Sequence, residues 1–412
     1  MYIMAKDAFA YLFYNHSFVF SFLIRKGWGE TQPCFILYTM NNSLYLVYPK
    51  SAESGTLETL PATKGMTLIQ EDDFLELSGV IASDKVCITS EATLESVLNK
   101  MNDDSKIEAV KSMKDKYLFR DLLSRTYPSL DYKTVELKDI PKLKLNSKKI
   151  IKPVKGCFGT AVKIIDENSN LENVVEEITS EINKNSTILS ENVLSQSKFI
   201  VEDFIEGKEY AVDMFFDSTG IPHIVNIYYH PTPKHAEYLH MMYYTNKDIF
   251  EEVYDSAIDF FVEINKKLQL TNISLHSEFK LSKDLVPIEI NAMRFGGMGL
   301  GNMIYHSLNI NPYKCFIEEN SPKWDELWKK HSNENFVFLI AYNGTNIDPN
   351  QQKPNFKKIE RKFSEILNKT VFNYQKQLAF GIYTLKESAE NIEEILNIDF
   401  NDFFEDIKKP IA

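Results

Sequence analysis

The stretch ISLHSEFKLSKDLVPIEINAMRFGGMGLG, residues 273–301, reads as two short strands around the turn Ser282-Lys283-Asp284-Leu285, followed by a glycine-rich loop. Side chains alternate across a strand, so Ile273, Leu275, Phe279 and Leu281 share one face while His276, Glu278 and Lys280 share the other. In the second strand Val286, Ile288 and Ile290 are apolar, and Glu289 and Asn291 point the opposite way. Antiparallel pairing would bring Glu278, Glu289 and Asn291 onto one surface. Two carboxylates and an amide oxygen on a rigid hairpin suit a hard, octahedral cation such as Mg²⁺, which keeps waters and shares phosphate oxygens. Arg294 follows at the mouth of the hairpin, where a planar guanidinium holds phosphate or carboxylate oxygens in bidentate fashion. Alone, the pattern also describes solvated polar positions on a half-exposed hairpin, so other segments must decide.

The chain of 412 residues is long enough for two or three domains, and 44% hydrophobic with 25% charged residues is a globular composition. A formal net charge of -12 argues against a general nucleic-acid or anionic-membrane binder, though not against a local basic cluster in a cleft. The four cysteines, Cys34, Cys87, Cys157 and Cys315, form no CxxC pair, so neither a zinc site nor a disulfide framework is suggested and a reducing cytoplasm fits. The aromatic run at 9–24 is interrupted by Asn15, His16 and Ser17 and falls short of the roughly 20 residues that span a bilayer. It reads as a buried first element.

Residues 1–110 alternate apolar runs with polar turns. CFILYT, SLYLVYP, GMTLIQ and KVCITS read as strands and 91–101 as a helix, giving a small α/β unit without a chemical motif. Over 106–123 apolar residues recur at helical spacing, with Ile107, Val110, Met113, Tyr117 and Leu118 towards one side and Lys111, Lys114 and Lys116 elsewhere. Such lysines are usually solvated surface.

In KIIKPVKGCFGTAVKII, residues 149–165, a strand leads through Lys152-Pro153 into a short glycine loop and a second strand at 160–165. Gly156 and Gly159 let backbone amides approach an anion, and Lys152 supplies a point charge beside them. The loop is neither a P-loop nor a dinucleotide fingerprint, because GxxxxGK[ST] is absent and no helix opens after it. An ordinary glycine hairpin is the alternative, and Cys157 at its tip has no base nearby in sequence. An amphipathic helix follows at 171–184. FIVEDFIEGKEYAVDMFFDSTGIPHIVNIYY, residues 199–229, then reads as three strands of an antiparallel meander with Glu202 and Glu209 bracketing its first turn. A strand edge and linker can meet an adenine with backbone groups, and a carboxylate just beyond accepts hydrogen bonds from ribose hydroxyls.

KPVKGCFGTAV, VEDFIEGKEYAVD and HSEFKL...PIEINAMRFGG, in this order and separation, resemble the ATP-grasp superfamily, in its carboxylate-amine ligase branch of amino-acid and peptide ligases. The resemblance implies a mixed α/β and α+β chain with the ATP-grasp fold. An N-terminal α/β domain would span 1–105, an ATP-grasp domain of two α+β subdomains 106–320 with its lid at about 145–205, and a small C-terminal α/β appendage 321–412. It further implies that Lys116 and Lys152 contact the phosphates of ATP under a lid carrying Gly156 and Gly159. Glu202 and the backbone of Asp203, Phe204 and Ile205 would sit at the adenine, and Glu209 at the ribose. Glu278, Glu289 and Asn291 would hold Mg²⁺ or Mn²⁺, and Arg294 would stabilise the transferred phosphoryl group or the substrate carboxylate. His276, Gly296 and Gly297 are candidates for substrate contact. Lys114 is the alternative to Lys116. The family often reads E-x-N-x-R, whereas one extra residue precedes Arg294 here, so the resemblance does not fix where Arg294 points.

His223, His230, His235 and His240 lie close together but without ligand spacing, which favours packing or substrate lining over a transition metal. Residues 248–268 read as an amphipathic helix. From 322 onward, FVFLIAY, QLAFGIYTL and the helix pattern SAENIEEILNIDFNDFFEDI suggest an α/β appendage.

The implied reaction is ATP-dependent joining of a small-molecule carboxylate to an amine through an acylphosphate, releasing ADP and phosphate, in the cytoplasm and without nucleic acid or membrane. A homodimer through the N-terminal domain is expected by resemblance alone. The rival readings are a carboxylase-type enzyme, for which no AMKM-like biotin-attachment motif is present, a phosphotransferase, and a non-catalytic nucleotide-binding protein.

Overall fold

The computed structural model describes residues 43–50, 60–77, 84–156, 159–185, 194–232 and 242–407, together with the backbone of three strands nearer the N-terminus. The chain divides into two compact units, Met1–Ser43 and Leu44–Ala412. In the first, the strands Phe13–Tyr14, Ser17–Lys26 and Glu30–Thr39 form an antiparallel sheet in chain order. The side chains of the aromatic run at 9–24 lie outside the described residues, as do Cys34, Cys157, His235 and His240.

The second unit begins with a parallel sheet in the order Met66–Gln70, Leu44–Tyr48, Lys85–Ile88. Leu44, Leu46, Val47, Val86 and Ile88 are buried, as strands sandwiched between other elements require. The helix read at 91–101 is a 3-10 turn, Glu91–Thr93, running into the helix Leu94–Lys100.

The single helix expected over 106–123 is two helices, Asp104–Lys114 and Lys116–Leu123. Asp115 leaves the helical conformation, and its carboxylate accepts hydrogen bonds from the Tyr117 and Leu118 amides. Aspartate is favoured as such a cap and disfavoured inside a helix, which is why the pattern breaks there. The break turns Leu118 to solvent, 46% exposed, and Lys116 inward.

An antiparallel sheet follows, ordered Tyr132–Glu136, Lys198–Asp203, Lys149–Pro153, Lys163–Ile165. The helix Leu171–Asn185 closes its core, with Ile178 and Ile182 packed among Ile140, Ile151, Ile165, Phe199 and Val201. The second strand of the glycine hairpin is shorter than expected, starting at Lys163.

The meander read over 199–229 is divided between two sheets. Lys198–Asp203 stays in the four-stranded sheet, whereas Lys208–Phe216 and Pro222–His230 enter an eight-stranded one. The crossing occurs at 204–207, where Gly207 has φ +128° and a Cβ would lie 2.2 Å from the Leu281 carbonyl oxygen. Only glycine lets the chain pass there.

The eight-stranded sheet is ordered Leu285–Ala292, Ile273–Leu281, Lys208–Phe216, Pro222–His230, Met242–Thr245, Asn335–Tyr342, Ala379–Glu387, Glu365–Val371. Helix Lys247–Leu268 buries Phe250, Val253, Ala257, Phe260, Phe261 and Ile264 in the main core, and the Asn246 side chain caps it through the Ile249 amide. The C-terminal strands continue this sheet through Met242–Thr245, which pairs with residues 336–339. The closing pattern read over 388–407 is helical only at Ala389–Leu396. A 3-10 turn, Phe400–Phe403, and a short strand, Phe404–Asp406, complete it.

Candidate active site

The antiparallel hairpin sets Glu278 directly opposite Glu289 and His276 opposite Asn291. Burial, reinforced by the Glu289 and Glu209 carboxylates, pushes Glu278 up to about 8. Burial acts upward on Glu289 too, but Lys116 and Lys114 outweigh it and hold Glu289 below the usual carboxylate range. One member of the pair therefore keeps its proton more readily than the other.

Lys116 Nζ lies 3.2 Å from Glu289 Oε2 and donates to the Gly156 carbonyl, also at 3.2 Å. Lys114 pairs with Glu91 instead. Of the two candidate lysines, Lys116 is thus the one that joins the acidic hairpin to the glycine loop. Gly159, on the far side of that loop, takes φ +61°.

Lys152 Nζ is 2.7 Å from Glu202 Oε1, and Arg120 Nε is 2.5 Å from Glu202 Oε2. Arg120 also donates to the Pro287 carbonyl at 2.7 Å, tying the four-stranded sheet to the hairpin. All three side chains are buried. Burial works against ionisation of Glu202, but Lys152 and Arg120 prevail and hold it down at about 2. Asp203 accepts from Lys149 Nζ at 2.8 Å, and the Asp203 and Phe204 amides donate to the Asp131 and Lys148 carbonyls. Those two amides are already engaged beside Ile205. Glu209 sits between His230 Nδ1 at 2.9 Å and Lys280 Nζ at 2.8 Å, which overcome burial and lower it to about 2.

His276 Nδ1 is 2.8 Å from Asp213 Oδ1, and Asp213 Oδ2 accepts from the Tyr228 hydroxyl at 2.8 Å. The other ring nitrogen lies 3.8 Å from Glu278 Oε1. His276 is thus oriented from below by a buried carboxylate and faces the acidic pair.

Arg294 Nε is 3.0 Å from Glu91 Oε1, and its Nη1 donates to the Phe295 carbonyl at 3.1 Å. With the Asn291 amide turned to satisfy its neighbours, its nitrogen donates to Glu91 at 2.8 Å and Glu289 at 3.1 Å, and its oxygen accepts from Arg294 Nη2 at 3.2 Å. Asn291 would offer its oxygen to a cation only after that amide turns. Gly297 faces the guanidinium, with Arg294 Nη1 3.4 Å from where a Cβ would stand. Gly296 is packed: a Cβ would come within 2.8 Å of Leu300.

His223 pairs with Asp217 and Ser321, and His230 with Glu209. Among the described residues no group of three or more His, Cys, Asp or Glu is placed to hold a metal ion. The set that fits one is Glu278 and Glu289 in register with Asn291 beside them. Enclosed like charges of this kind are the oxygen donors a hard divalent cation takes.

Glu91, Arg120, Asp213, His230 and Lys280 all touch the site, and of these the sequence pointed only to His230, as packing or substrate lining, and to Lys280, as a neighbour of Glu278 on one strand face. None lies in a short motif. Glu91 and Arg120 sit in segments whose pattern speaks only of helices, and the other three are ordinary strand positions until pairing sets their neighbours.

Residues 145–302 match the family model of the ATP-grasp domain. No curated relative matches the chain in sequence. In structure it is similar to an L-amino acid ligase from Bacillus licheniformis, with TM-score 0.62, 15% identity, and 90% of this chain and 100% of that one covered. It is also similar to N5-carboxyaminoimidazole ribonucleotide synthetase from Thermotoga maritima, with TM-score 0.54, 12% identity, and 89% and 100% covered. A biotin carboxylase from Campylobacter jejuni, solved as a beta-gamma-ATP complex, gives TM-score 0.53, 12% identity, and 84% and 87% covered. Residues 145–302, which carry the glycine loop and the acidic hairpin, match the ATP-grasp domain, and the chain shares its fold with these structures along most of its length.

Proposed function

We propose that the chain is an ATP-dependent carboxylate-amine ligase forming an amide or peptide-like bond. The observation that carries this reading is Lys116, whose ammonium joins Glu289 of the acidic hairpin to Gly156 of the glycine loop. That juxtaposition supplies positive charge, carboxylate oxygens and backbone at one place, as a triphosphate with its cations requires. The fold-level likeness to an L-amino acid ligase supports the choice of reaction by analogy.

In this reading Lys116 and Lys152 meet the phosphates, and the loop with Gly156 and Gly159 covers them. The 203–205 backbone beside Glu202 borders the adenine, and Glu209 accepts from the ribose. Glu278, Glu289 and Asn291 hold Mg²⁺, which when bound neutralises phosphate charge. The γ-phosphoryl group passes in line to an oxygen of the substrate carboxylate, giving an acylphosphate and ADP. The amine nitrogen then attacks the acyl carbon, and phosphate leaves. Lys152 and Arg294 stabilise the charge on the transferred group, and the closed loop keeps water from the acylphosphate.

The test is ADP and phosphate release with Mg-ATP across carboxylic acids, singly and paired with amines, chiefly the amino acids. Release that needs a pair, with a condensed product by mass, is the expected result. Release with bicarbonate alone would favour the carboxylase-type reading, and release with one acid and a stable phosphorylated product the phosphotransferase. Nucleotide binding without turnover across the whole matrix would sink the ligase.

A further inference from the structure

Met293, which stands between Asn291 and Arg294, has a definite place in the fold. Met293 takes φ +64°, an uncommon conformation for a residue with a side chain, and is 1% exposed. Its amide donates to the Ser274 carbonyl and its carbonyl accepts from the Ile88 amide, both at 2.7 Å. This one residue therefore stitches the strand Lys85–Ile88 to the acidic hairpin. Glu91 stands three residues past one side of the stitch and Arg294 next to the other, and their side chains meet.

Three of the five N–H donors of Arg294 are then used: Nε on Glu91, one on the Phe295 carbonyl and one on the Asn291 oxygen. Among the described residues, one N–H remains on each terminal nitrogen. Glu91 is itself fixed from the other side by Lys114. A planar guanidinium gripped in this way has a set orientation before any substrate arrives.

Resting on the reading of the site as a phosphoryl-transfer centre, we propose that Glu91 is a positioning residue for Arg294. The α/β segment after Lys85–Ile88 thereby contributes to the active site, and the backbone stitch at Met293 is what brings the two together. Glu91 also holds Lys114 and the Asn291 amide, but of these partners Arg294 is the one assigned to the transferred phosphoryl group, so its loss is felt most in that step and least in nucleotide binding.

The experiment compares wild type, Glu91→Gln, Glu91→Asp, Arg294→Lys and the Glu91→Gln/Arg294→Lys double variant. Each is titrated with Mg-ADP and with Mg-ADP plus aluminium fluoride, a mimic of the phosphoryl group in flight, and each is checked by thermal unfolding. Expected is Mg-ADP affinity within about twofold of wild type in Glu91→Gln, with the fluoride complex weakened about tenfold or more. Arg294→Lys should show the same split and the double variant no further loss, because the two residues act as one unit. Glu91→Asp should recover part of the loss, and serves in place of Glu91→Gln should that variant not fold. Wild-type binding of both ligands in the Glu91 variants, with loss only in Arg294→Lys, would overturn the role of Glu91 and leave the site reading intact. A wild-type protein that binds neither Mg-ADP nor its fluoride complex would overturn the site reading and this proposal with it.

Discussion

Glu278 and Glu289 face each other across the hairpin with unequal charge, burial and like charge lifting Glu278 to about 8 while Lys116 restrains Glu289. The folded protein therefore binds a proton that the unfolded chain, with Glu278 near 4.5, gives up. Its contribution to stability is least harmful below about 4.5 and worsens as pH rises to about 8. Glu278→Gln should raise the melting temperature of the metal-free protein at pH 8 by about 2–4 °C and leave it nearly unchanged at pH 4.5, while turnover is lost. Melting at both pH values, with an activity assay, checks it; a variant that melts earlier than wild type at pH 8 would contradict the assignment.

Glu289→Gln should abolish ADP release while the far-ultraviolet circular dichroism and cooperative melting stay those of wild type. Full activity in that variant would remove Glu289 from the proposed cation site.

Glu202 is buried between Lys152 and Arg120, and its carboxyl is held at about 2 against an ordinary 4.5. Here the sign is opposite to that of Glu278: the stabilisation is complete above about 4.5 and is lost as pH falls towards about 2. Glu202→Gln leaves two buried cations without their carboxylate and should cost roughly 3–5 kcal/mol at neutral pH. Urea unfolding of the two proteins at pH 7 and pH 3 should show the gap narrowing in acid.

Lys116 and Lys114 should separate cleanly by kinetics. Lys116→Met is expected to lower kcat/KM for ATP by about 10²-fold or more, since it removes a charge from the proposed phosphate site. Lys114→Met should leave nucleotide affinity close to wild type and act through Glu91 instead. Equal losses of nucleotide affinity in both variants would show that the choice between them is wrong.

Gly207→Ala should destabilise the chain by roughly 2 kcal/mol or more, through a positive φ and a Cβ forced against the Leu281 carbonyl. Chemical denaturation measures the loss; a cost below about 0.5 kcal/mol would mean that the crossover shifts freely.

Alternation along 273–291 was enough to place His276, Glu278, Glu289 and Asn291 on one face, because strand geometry turns spacing directly into direction. The glycines and lysine of the 149–165 hairpin, and the strands and helices of most of the chain, were legible for the same reason: their periodicity is local. Partner choice is not local. That Lys198–Asp203 leaves its apparent meander for another sheet and that Glu91 reaches Arg294 depend on contacts between segments far apart in the chain, whereas the Asp115 cap that turns Lys116 inward is a local signal overlaid by the helical spacing around it. The amino-acid sequence by itself determined which side chains could do the chemistry. Only the tertiary structure decided which of them meet, because burial and long-range pairing, rather than residue type, set the charge and direction of each group.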